Sequence, residues 1–124
     1  MFLTSYSAMS LGTFIQSMRL QHQMAGRDYS LRKMAARVGL SSAYLSKIEH
    51  GRGSPPTEKT LLALAADLKV DPNVMLAMGG RMSRELQAIV LARPLLMAEL
   101  LEACQGLPDE EIVRLTNQAK SVQQ

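Results

Sequence analysis

The residues best equipped for chemistry in this chain stand close together: Ser41, Ser42, Ala43, Tyr44, Ser46, Lys47 and His50. They offer hydroxyls, one ammonium, one imidazole and short side chains, a set that hydrogen-bonds to a polar partner and neutralises its negative charge. No long apolar or acidic side chain interrupts the set, so a grooved polyanion can approach closely. Bond-making chemistry finds less support. His22 and His50 lie far apart and lack metal-type spacing to each other or to Cys104. Gly51-Arg52-Gly53 is not followed by the helix-opening pattern of a dinucleotide or phosphate loop. The chain reads as a binder rather than an enzyme, with no cofactor and no metal.

These residues fall on the second of two short helices predicted by the stretch SLRKMAARVGLSSAYLSKIEHG, Ser30 to Gly51. Ser30 caps the first helix, and Met34, Ala35 and Val38 form its inner stripe. Gly39 stands where a helix end requires left-handed backbone. Ser41 caps the second helix, whose buried face is Leu45 and Ile48, and Gly51 closes it. The small residues Ala35, Ala36 and Gly39 let the two helices meet at a steep angle. That is the geometry of a helix-turn-helix, whose second helix can lie in the DNA major groove.

The order Ser30, Met34-Ala35, Gly39-Leu40-Ser41, Tyr44-Leu45-Ser46, Ile48-Glu49 and Gly51, then Pro56 and Leu61, resembles the Xre family of lambda-repressor/Cro-like regulators. The resemblance runs from about Leu11 to Leu76. It implies a five-helix DNA-binding domain that recognises double-stranded DNA by sequence. It also implies that Arg19, rather than touching phosphate, pairs with Glu49 and ties the first helix to the recognition helix. In that frame Ser41, Ser42, Ala43, Tyr44 and Lys47 read bases, while Ser30, Arg32, Ser46, His50 and Arg52 hold the backbone. Arg27 either reaches a phosphate as well or is simply solvated. Two departures stand out. The MAGRDY segment between Gln23 and Ser30 is longer than the family's usual connection, and Leu31 replaces a glutamine that in many relatives braces a phosphate and a base-reading side chain.

Composition agrees with a helical binder. The chain has 124 residues, no Trp, and an interior that must be filled by Leu, Met and Ala, so an all-α fold is expected. Its net charge of +3 is unevenly spread. Residues 1–59 hold eight Lys/Arg against three Asp/Glu, whereas residues 60–124 hold six against eight. The positive half coincides with the helix-turn-helix, as a phosphate-binding surface requires. Cys104 is the single cysteine and reads as an inert, buried small residue. No apolar run approaches a membrane span of about 20 residues, and an intracellular, cytoplasmic protein is expected.

In chain order, residues 1–10 read as a weakly patterned tail and 11–79 as the DNA-binding domain. Leu11, Phe14, Ile15 and Met18 face inward on its first helix. Thr57 caps a fourth helix with Leu61, Leu64, Ala65 and Leu68 inside, and Asp71-Pro72 opens a fifth containing Val74, Met75 and Met78. After Gly79-Gly80, residues 80–124 predict about three short helices, broken at Arg93-Pro94 and Gln105-Gly106. Their apolar residues Leu86, Ile89, Val90, Leu96, Leu100, Ile112 and Leu115 need cover from the first unit, a second copy or another protein. One short recognition helix reads few base pairs, so a homodimer is expected. The competing expectation is an antitoxin-like or anti-repressor-controlled protein whose C-terminal helices bind another protein. The helical tail leaves no room for a β-rich self-cleaving domain, so no autoproteolysis is expected.

Overall fold

The computed structural model describes residues 9–124, which contain eight α-helices and no strand. Most of the expected tail, residues 1–8, lies outside the described residues. Two compact units emerge: one runs to Ser83, the other covers Arg84–Gln124. The first holds α1 (Leu11–Met24), α2 (Leu31–Val38), α3 (Ser42–Glu49), α4 (Glu58–Leu68) and α5 (Pro72–Met78). The second holds α6 (Arg84–Ala92), α7 (Pro94–Cys104) and α8 (Asp109–Val122). None of the described helices is long and apolar enough to cross a membrane.

The helices of the first unit start where short polar side chains can satisfy the free backbone N–H groups. Ser10, Ser30, Ser41, Thr57 and Asp71 each accept a hydrogen bond from a first-turn amide: Thr13, Lys33, Tyr44, Thr60 and Asn73, at 2.7–3.2 Å. The helices stop by a common device. After α2, Gly39 adopts φ 75°, so its N–H reaches Ala36 O and that of Leu40 reaches Ala35 O. At the end of α4 the same left-handed position is filled by Lys69, with φ 59° and no glycine to ease it.

The core of this unit is Phe14, Ile15, Met34, Ala35, Leu45, Ile48, Leu61, Leu64, Ala65, Leu68, Met75 and Leu76, closed by Tyr29. Leu11, Met18, Val38, Val74 and Met78 pack against it half-buried. Each inner stripe read from the sequence is therefore where helical periodicity places it. Past Gly79-Gly80 the chain stays with the first unit as far as Ser83 and folds back on it. Arg81 returns its amide to Leu76 O at 2.7 Å and its guanidinium to Pro56 O at 3.3 Å.

Two contacts hold α3 from behind. Arg19 of α1 donates through Nε and Nη2 to both carboxylate oxygens of Glu49, at 2.7 and 2.9 Å, and through Nη1 to Tyr29 O at 3.2 Å. Glu49's side chain is only 2% exposed, so the pair is desolvated and fully hydrogen-bonded. One helical end earlier on α1, Gly12 meets the last turn of α3. A Cβ there would stand 2.4 Å from Glu49 O and 2.5 Å from Ile48 O, an overlap that only glycine avoids.

In the second unit α6 packs on α7. Arg114 donates to Glu111 at 2.6 Å within α8, which raises the guanidinium and lowers the carboxyl from their usual ranges. No residue of α6, α7 or α8 is buried within the chain. Leu91 and Leu95 are 71% and 72% exposed, and Leu86, Ile89, Leu96, Leu100, Leu101 and Leu115 are exposed as well.

Two substitutions test how α3 is held. Gly12→Ala would add helix propensity of about 0.5–1 kcal/mol at an open site. Here it is expected to lower stability by about 1–3 kcal/mol through overpacking against rigid backbone. Arg19→Ala leaves a buried carboxylate alone and is expected to cost about 3–5 kcal/mol. Urea titration followed by circular dichroism measures both. An unchanged midpoint for either variant would refute the corresponding contact.

Candidate nucleic-acid interface

The buried and exposed faces of α3 divide cleanly. Leu45, Ile48 and Glu49 point into the protein, and Ala43, Lys47 and His50 lie exposed at i, i+4 and i+7. Three residues spaced this way form one stripe along the helix. Ser42, Tyr44 and Ser46 flank it and are half-buried, and Tyr44 packs its ring against the core. The expected base-reading set thus resolves into a small methyl, an ammonium and an imidazole at the front, with hydroxyls at the sides.

The loop after α3 is folded back toward Lys47. Gly51, at φ 68°, donates to Ile48 O at 3.1 Å, and Arg52 donates to Lys47 O at 2.8 Å. The stem of Lys47 then lies beside Gly53, its Cδ 4.0 Å from where a Cβ would stand. Backbone geometry alone therefore brings exposed Arg52 next to exposed Lys47. Two cations share one end of the helix, and neither forms an ion pair among the described residues. Gly53 is a positioning residue that motif reading passed over.

Ser30 and Ser41 each spend a lone pair on capping, at 3.2 and 3.0 Å. Their hydroxyl hydrogens stay available, so both can still donate to a phosphate oxygen. Arg32, in the first turn of α2, is exposed. Helix N-termini with free donors of this kind suit anions.

Arg27 is exposed and also hydrogen-bonds within the chain. Its Nη1 donates to His22 Nδ1 at 3.0 Å, and His22 Nε2 donates to Leu68 O at 2.9 Å. The His22 ring stacks on Tyr29 with centroids 4.3 Å apart, and the Arg37 guanidinium sits 4.4 Å over the same Tyr29 ring. Arg37 also clamps Asp67 at 2.7 and 3.1 Å, and that hydrogen-bonded carboxylate raises the guanidinium further above its usual range. The Tyr29 hydroxyl donates to Asp67 O. The unusually long α1–α2 connection is thereby fastened to α2 and α4, and Arg27 belongs to the fastening.

The residues expected to cover a partner are also placed. Leu86, Ile89, Leu96, Leu100 and Leu115 are exposed, and Val90 and Ile112 are half-buried. Cys104, expected to be buried, is partly exposed.

Comparison with known proteins addresses the first unit. Residues 21–75 match the family model described as helix-turn-helix. A chain from a solved complex of SinR protein and SinI protein is similar at 19% identity, over 91% of this chain and 97% of that one, with a TM-score of 0.47. No curated protein sequence matches the chain. The match to the helix-turn-helix model spans the capped α2, the glycine turn and the exposed stripe of α3, and in that stretch the chain is similar to that family.

Proposed function

We propose that this protein is a dimeric, sequence-specific repressor that lays α3 in the major groove of double-stranded DNA. The observation that carries this reading is the stripe of Ala43, Lys47 and His50, exposed on a helix whose opposite face is buried and whose end is pinned by Arg19. Ala43 admits close approach to base edges or a thymine methyl, and Lys47 supplies the donor to a base. Ser42, Ser41 and the hydroxyl of Tyr44 contact base edges or sugar from the flanks. Ser30, Arg32, Ser46, His50 and Arg52 anchor the phosphates.

Dimerisation follows from the second unit. Three helices with no buried residue leave apolar faces that water does not tolerate, and a second copy covers them while supplying a second α3. Two such helices read half-sites about 34–36 Å apart. The same exposed faces support a second reading, in which α6–α8 bind a different protein, as in antitoxin-like or anti-repressor-controlled regulators.

Selection from a random duplex pool is expected to return a two-fold site. Lys47→Ala is expected to relax preference at one position per half-site by about 1–3 kcal/mol. Equal weakening on every sequence, with a shallower salt dependence, would make Lys47 a phosphate contact instead. Light scattering of the full chain is expected to give twice the monomer mass, and Ile89→Asp with Leu96→Asp is expected to halve it. A monomeric full chain would favour the heterologous partner.

A further inference from the structure

His50 ends the exposed stripe of α3, and its hydrogen bonding decides in which protonation state it can meet DNA. Its Nδ1 lies 2.8 Å from Ser46 O and 3.4 Å from Ser46 Oγ. A carbonyl oxygen only accepts, so Nδ1 carries a hydrogen. In the neutral ring Nε2 is then a bare lone pair, which repels an anionic phosphate oxygen. In the protonated ring Nε2 is a donor and the ring carries a full positive charge. Only the second form can hold a phosphate.

Among the described residues, no carboxylate forms an ion pair with this ring. Glu49, the neighbouring carboxylate, is consumed by Arg19 of α1. On α2, Lys33 pairs with Asp28 and Arg37 with Asp67, while Arg32 is an exposed cation. Lys47 and Arg52 add positive charge from α3 and its loop. Among the described residues, the imidazole's hydrogen-bond partners are both on Ser46. The negative charge that completes an imidazolium here must come from the ligand. Imidazoles as a class titrate near neutral pH, so an approaching phosphate can draw a proton onto one.

We propose that His50 is a proton-linked phosphate contact: duplex binding takes up a proton at the end of α3, and affinity rises as pH falls. This rests on the DNA-binding reading above. The full-length protein is titrated with a mixed-sequence duplex of about 30 base pairs at low salt, where phosphate contacts dominate. Affinity is expected to weaken about threefold to tenfold between about pH 6 and about pH 8, with fractional proton uptake seen by calorimetry in buffers of different ionisation heat. His50→Gln is expected to bind weakly with this pH term gone, and His50→Arg to bind tightly at every pH. A pH dependence identical in wild type and His50→Gln, or no proton uptake by the wild type, overturns the proposal while leaving DNA binding intact. No duplex binding at any pH would remove the DNA-binding reading and this inference with it.

Discussion

Helix α3 can present one face only because its other face and its end are immobilised, and the Arg19–Glu49 pair is where that immobilisation is strongest. Glu49 is the last residue of α3 and almost wholly shielded from water. A carboxylate in that position is tolerable only with a partner that satisfies both oxygens, and Arg19's fork does so with a third donor left for Tyr29 O. The same guanidinium therefore joins α1, the end of α3 and the start of the α2 cap region. A lysine could not make the three contacts, since its single ammonium lacks the planar fork. Gly12 sets the depth of the contact by letting the backbones touch, and Arg19 sets its direction.

Much of the first unit was readable from local rules. Ser30, Ser41, Thr57 and Asp71 cap where their short oxygens predict, and the apolar stripes of α1 to α5 lie inward at helical spacing. The misses have physical causes. Gly12 carried a signal, since glycine in a helix interior is costly without a packing reason, but which backbone it approaches depends on tertiary structure. Lys69 takes a left-handed backbone without glycine, so the end of α4 had no marker in the chain. Leu76 sits beside Met75 and the expected stripe passed it by, yet it is buried in the same core cluster.

The candidate interface was readable as composition but not as direction. Seven residues from Ser41 to His50 were visible in sequence, and burial then ordered them into a front stripe and flanks. Tyr44 illustrates the difference: a phenol can serve a groove or a core, and the core claims its ring here. Arg27 illustrates another. Its guanidinium reaches His22 Nδ1 from the α1–α2 connection, a pairing no helical periodicity encodes. Gly53 became meaningful only once Arg52's amide was seen to fold back on Lys47.

The two units pose opposite problems, and their joint solution explains why both are in one chain. The first unit hides its apolar residues completely enough to be rigid, but it offers the groove only two turns of helix. Exposed Lys47 and Arg52 make one end of α3 cationic, so under the proposed function a single copy's contact with DNA would be salt-sensitive and weakly selective. The second unit leaves its leucines uncovered and cannot be at rest in water alone. In the dimer proposed above, pairing through these helices would make the second α3 a tethered ligand, with an effective concentration of about millimolar and no new DNA contact. Under that proposal, specificity comes from symmetry and spacing as much as from Lys47 itself. A short, precisely held α3 is sufficient on those terms, which is why the chain invests its buried ion pair and its close-packed glycine behind that helix.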